Sequence, residues 1–91
     1  MGVCPGQIVY SIAGRDAGRK FIIVSIMDKT RVTVSDGDLR RIKNAKLKNL
    51  KHLKLTDRII SPLGEKIKNK ERLTNAEIRK ALSNEGNIET D

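Results

Sequence analysis

The sequence predicts a small, mainly β domain followed by one C-terminal helix. Three observations carry that prediction. Apolar runs and turn signals alternate at short spacing through the first 42 residues, the pattern of a small all-β domain. The core must be aliphatic, because Tyr10 and Phe21 are the only aromatic residues among 91. A complete helix-start signature appears only late, in "LTNAEIRKAL" (73–82).

The elements follow in order. "QIVYSI" (7–12) alternates Ile8, Tyr10 and Ile12 onto one face, expected to point into the core. "FIIVSIM" (21–27) is apolar on both faces, as a strand bending between two layers should be. "DKT" (28–30) suits a hairpin turn, and "RVTVS" (31–35) sends Val32 and Val34 inward. "SDGD" (35–38) reads as a two-residue type I′ turn at Asp36-Gly37, since both tolerate positive φ. That register sets Val34 opposite Leu39 and leaves Ile42 on the wrong face, so the fourth strand is expected to be short or irregular.

From Arg40 to Lys54, "RRIKNAKLKNLKHLK" holds seven Lys or Arg and no acid. Ile42, Ala45, Leu50 and Leu53 fall near helical spacing, while Leu53 and Leu55 alternate as a final short strand. Periodicity leaves both readings open. Pro62 and Gly64 act as breakers, so residues 58–72 read as a linker. Thr74 then caps a helix spanning about 73–84, Glu77 completes the capping box, and Leu73 and Ile78 form the hydrophobic staple. Its apolar stripe (Ile78, Ala81, Leu82) is narrow, which predicts light packing, and residues 85–91 read as a frayed acidic tail.

Composition narrows the function. Nineteen Lys and Arg against eleven Asp and Glu give a net charge of +8, which points to a polyanionic partner, nucleic acid first. A membrane surface fits less well, because the basic stretch has no Trp or Phe to bury. No apolar run reaches the roughly 18 residues of a membrane span, and the N-terminal residues carry no secretion pattern, so a cytoplasmic location is expected. One cysteine, Cys4, makes no internal disulfide, and one Cys with one His makes no metal cluster. His52 lies among lysines without an acid partner nearby, and no nucleophile–base arrangement is visible. Neither an enzyme, a metal, a cofactor nor a small-molecule substrate is expected. The protein is expected to be a monomer.

"GRDAGRK" (14–20) resembles a phosphate-cradling loop only superficially. It lies between two strands, and no Gly-Lys-Ser/Thr follows its glycines. Gly14 and Gly18 shape the backbone, Gly37 does the same in the later turn, and Asp16 is expected to hydrogen-bond its own turn. Turn geometry leaves the cluster of Arg15, Arg19 and Lys20 unexplained; contact with phosphates explains it. Arg40, Arg41, Lys43, Lys46, Lys48 and Lys51 form a second candidate patch, where mutual repulsion without interspersed acids is relieved by a polyanion.

A glycine-punctuated strand pair, a DG turn and a basic return strand together resemble the KOW module, a small SH3-like barrel. The resemblance rests on "GQIVYSIAGRDAGRKFIIVSIMD" (6–28), with Gly18 at the motif's marking glycine. Within that group, "IAGRDAGRKFIIV" (12–24) and "KNLKHLKLT" (48–56) are similar to two segments of the large-subunit ribosomal protein fourteen-e family, in the same order. A tight "SDGD" turn, where that family has a longer connection, sets the chain nearer to short bacterial KOW-domain RNA-binding proteins. The resemblance implies a five-stranded barrel over residues 5–57, an irregular basic connection ending in a strand near His52–Leu55, and binding to structured ribosomal RNA. His52 becomes a barrel-edge residue, expected to pack. Some KOW domains dock proteins instead, which is the alternative function the resemblance implies.

Overall fold

The computed structural model describes residues 3–38, 40–69 and 73–89. Five strands appear: β1 (Gln7–Ser11), β2 (Lys20–Ile26), β3 (Arg31–Ser35), β4 (Lys46–Asn49) and β5 (Leu53–Ile59). Helices α1 (Ser61–Lys68) and α2 (Asn75–Glu89) follow. All strand pairs are antiparallel, in the order β4-β3-β2-β1-β5. The two edge strands are consecutive in the chain, joined by one turn of 3-10 helix at Leu50–His52. A flat five-stranded sheet would hold its edges about 19 Å apart, whereas the four Cα steps from Asn49 to Leu53 reach about 14 Å at most. The sheet must therefore curl. It does so as an SH3-like barrel whose last seam is bridged by chain and not by a ladder.

Curling divides the apolar residues into two layers. Val9, Phe21, Ile23, Val32, Val34 and Leu53 fill the inside. Ile8 and Ile22 face outward and are covered by Leu63 of α1 and by Ile78 and Leu82 of α2. β2 supplies both layers from successive residues, which is why "FII" is apolar on both faces. The expected face of β1 is corrected: Val9 points inside, Ile8 belongs to the outer layer, Tyr10 is half-buried and Ile12 is 57% exposed. The outer face is dry only where the helices reach it.

Irregularities in the ladders are patched by side chains. The β1–β5 register shifts between Gln7 and Val9. There the buried Gln7 donates from Nε2 to the Thr56 carbonyl at 2.7 Å, and Thr56 Oγ1 donates to the Ile8 carbonyl at 2.6 Å. These bonds satisfy backbone groups that the bulge leaves unpaired.

Two connections differ from expectation. Val34 pairs with Lys46, so β3 and β4 are joined by residues 36–45 and not by a two-residue hairpin. Leu39, the partner expected for Val34, lies outside the described residues. Asp36 prevents the tight turn by folding the chain on itself: its Oδ1 accepts the N–H groups of Asp38 and Arg40, both at 2.9 Å. A 3-10 turn at Ile42–Asn44 follows. The stretch expected to be a linker holds the end of β5 and all of α1. Pro62 falls in the first turn of α1, where its missing N–H costs nothing. Gly64 lies so close to the Pro5 carbonyl that an added Cβ would sit 2.9 Å from its oxygen. Neither residue acts as a breaker here.

The capping box of α2 forms as expected. The Glu77 N–H donates to Thr74 Oγ1 at 3.1 Å, and the Thr74 N–H points back to Glu77 Oε1 at 3.4 Å. Leu73 packs against the layer containing Ile78. The helix continues to Glu89, through residues expected to fray.

Candidate nucleic-acid interface

Two carboxylates organise the basic loops. Asp16, only 6% exposed, does not turn its carboxylate onto its own loop backbone as expected. Its Oδ2 pairs with the Arg40 guanidinium at 3.3 Å and with Lys48 Nζ at 3.6 Å. Lys48 also donates to Ser11 Oγ. Asp36, equally buried, pairs through Oδ2 with Arg19 at 3.0 Å. Burial pushes the Asp36 carboxyl up, but the N–H groups of Arg40 and Asp38 and the Arg19 guanidinium outweigh it and hold it below the usual carboxylate range. Gly14 and Gly18 both adopt positive φ, at 77° and 89°, where the "GRDAGRK" loop closes between β1 and β2.

These pairs cross-brace the two basic segments. The loop between β1 and β2 is tied to residues 36–48 by three ion pairs, and its first residue, Ile12, donates its N–H to the His52 carbonyl. Three basic segments thus meet at one end of the barrel: 12–20, 40–48 and 50–52.

The nine expected contact residues separate into two groups. Arg19, Arg40 and Lys48 hold the brace, and Lys20 donates from Nζ to the Leu82 carbonyl of α2 at 3.3 Å. Arg15, Arg41, Lys43, Lys46 and Lys51 are exposed, and none has an ion-pair partner among the described residues. His52 is exposed beside Lys51, not packed as expected. Beside the brace, a cleft of about 330 Å³ opens against α2, lined by Arg19, Lys20, Asp36, Arg79 and Leu82. No group of three or more potential metal ligands occurs among the described residues.

Sequence reasoning missed Arg79, which donates to the Gly37 carbonyl and lines the cleft. It also passed over Lys54, although the inward alternation of Leu53 and Leu55 places Lys54 outward.

No protein-family model matches the chain. Among curated proteins, the large ribosomal subunit protein eL14 of Desulfurococcus amylolyticus is 46% identical over 56 residues, covering 60% of this chain and 57% of that protein. The eL14 of Staphylothermus marinus is 38% identical with the same coverage. The chain therefore matches little more than half the length of these two relatives. The eL14 of Pyrobaculum calidifontis is 31% identical over 85 residues, covering 92% of this chain and 75% of the relative. The ten-residue β3–β4 connection removes the reason for placing the chain with compact relatives having a tight turn there. With the extended alignment to the Pyrobaculum protein, this assigns the chain to the large ribosomal subunit protein eL14 family.

Proposed function

We propose that this protein binds ribosomal RNA as a component of, or a partner to, the large ribosomal subunit in the cytoplasm. The observation that carries the reading is the division of labour among its cations. Buried Asp16 and Asp36 neutralise and position Arg19, Arg40 and Lys48, while Arg15, Arg41, Lys43, Lys46 and Lys51 stand exposed on the segments so braced. A rigid array of unpaired cations suits the backbone of structured RNA, which is recognised mainly by shape and phosphate position. Membership of the eL14 family supports the ribosomal target. In this reading, Gly14, Gly18 and Gly37 set the loop shape and contribute no charge.

Salt titration of binding to a ribosomal RNA fragment tests it. Five phosphate contacts predict a log–log slope of about −4, and replacing one exposed cation by Gln should flatten it by about 0.7–0.9. Arg41→Gln with Lys43→Gln is the informative pair, because neither residue belongs to the ion-pair brace and, among the described residues, the Arg41 side chain bonds only the nearby Asp38 carbonyl. A salt-independent affinity would overturn the proposal and favour docking to a protein.

A further inference from the structure

We propose that Tyr10, flanked by Lys20 and Lys54, is a stacking platform for one unpaired RNA base. The proposal deepens the RNA-binding reading and rests on it. Strand register makes the site. Tyr10 is paired directly with Lys20 of β2 on one side and with Lys54 of β5 on the other. Directly opposed residues in antiparallel strands project from the same face. That face is the outer one: Ile8 and Ile22, two residues before Tyr10 and two after Lys20, pair with each other and lie in the outer layer. Lys54 lies between the inward-facing Leu53 and Leu55.

The row therefore reads lysine, tyrosine, lysine across three adjacent strands, with the ammonium-bearing positions about 10 Å apart. Tyr10 is half-buried, so its ring is fixed by the sheet yet partly open to solvent. Its hydroxyl has no hydrogen-bond partner among the described residues. Lys20 is anchored by its bond to the Leu82 carbonyl, which leaves further ammonium donors available. Lys54 is exposed and has no ion-pair partner among the described residues. Ile12, 57% exposed, follows Tyr10 by two positions and adds apolar surface. Lysine stems packed on a ring would explain either neighbour alone. A half-buried aromatic ring between two lysines, neither of them in an ion pair among the described residues, matches what single-stranded nucleic acid requires: a π-surface for a base and charge for the flanking phosphates.

Tyr10 is the only tyrosine and the chain has no tryptophan, so intrinsic fluorescence reports on this ring alone. Titrating the full chain with a short oligouridylate should quench that emission, after correction for RNA absorption. The quenching should run in parallel with the anisotropy of end-labelled oligomer. Tyr10→Leu should weaken oligouridylate binding by about tenfold or more, while Tyr10→Phe keeps it. Lys54→Gln should weaken it with the circular dichroism unchanged. Unchanged emission at a saturation confirmed by anisotropy would overturn the platform, as would wild-type affinity in folded Tyr10→Leu. Binding to ribosomal RNA without binding to oligouridylate would also overturn it while leaving the broader reading intact. Failure to bind either RNA would defeat both.

Discussion

Asp16 shows how one residue can hold a basic surface together. Its carboxylate faces Arg40 and Lys48 from a nearly closed position, and the Lys48 side chain is itself only 10% exposed. Removing the acid leaves two cations with no counter-charge, a change that costs about 3–5 kcal/mol when a pair is fully buried. Arg40 is one-third exposed and can rehydrate, so Asp16→Ala should cost nearer the lower end, about 3 kcal/mol in urea unfolding. Gly37 is constrained differently. Its φ is +74°, and an added Cβ would lie 3.1 Å from Ile78 Cβ and Arg79 Cγ, with the Asn75 carbonyl closer still. Gly37→Ala therefore combines about 1 kcal/mol of backbone strain with about 1–3 kcal/mol from overpacking against the first turns of α2. A midpoint unchanged from wild type would mean that the loop and α2 do not meet as described.

At the scale of elements, α2 is the second wall of the core. Ile78 is fully buried against Ile8 and Ile22, and Ile42 donates its N–H to Asn75 Oδ1. Ile78→Ala should destabilise by about 2–4 kcal/mol, against about 1 kcal/mol for removing the Thr74 cap. The difference between these variants in urea measures how far α2 relies on docking. The sequence shows the helix but not the depth of this packing, because its narrow stripe meets a sheet face whose outward residues looked like core. β1 to β3 were readable as apolar runs between turn signals, but alternation records the inward face only in β3, since β1 and β2 bury residues on both faces. β4 was not: in "KLKN" no residue is fully buried, so an edge strand leaves no hydrophobic pattern. α1 was hidden by Pro62 and Gly64, whose roles depend on the first helical turn and on Pro5. The candidate site was half-visible for a similar reason. The cations stand out locally, whereas Asp16 lies 24 residues from Arg40 and Asp36 lies 17 from Arg19, so only the fold shows which cations are already paired.

For the whole molecule, the Asp36–Arg19 pair and two pairs outside the brace, Asp28–Arg31 and Glu77–Lys66, set a direction of pH dependence. The chain carries +8, so acid adds repulsion to a molecule already strongly positive. Among the described residues, three carboxylates have folded-state pKa values below their ordinary ones. Hydrogen bonding to Arg31 leads the lowering of Asp28, to about 2. Hydrogen bonding to Lys66 leads that of Glu77, at the start of α2. At Asp36 the backbone N–H groups and Arg19 outweigh burial. A depressed folded pKa means that the unfolded chain takes up protons first as pH falls. The resulting stability is fully present above the ordinary carboxylate range, near pH 4.5, and is lost as pH descends through the lowered values toward 2. Thermal unfolding followed by circular dichroism should therefore give a nearly constant midpoint from about pH 8 to 5, with a steep fall below about 4.5. Asp36→Asn removes one of the groups responsible, so its midpoint should be lower at neutral pH and converge on wild type in acid. Parallel curves for the two proteins would show that Asp36 does not contribute through its charge, and the brace at the base of the basic loops would then require another account.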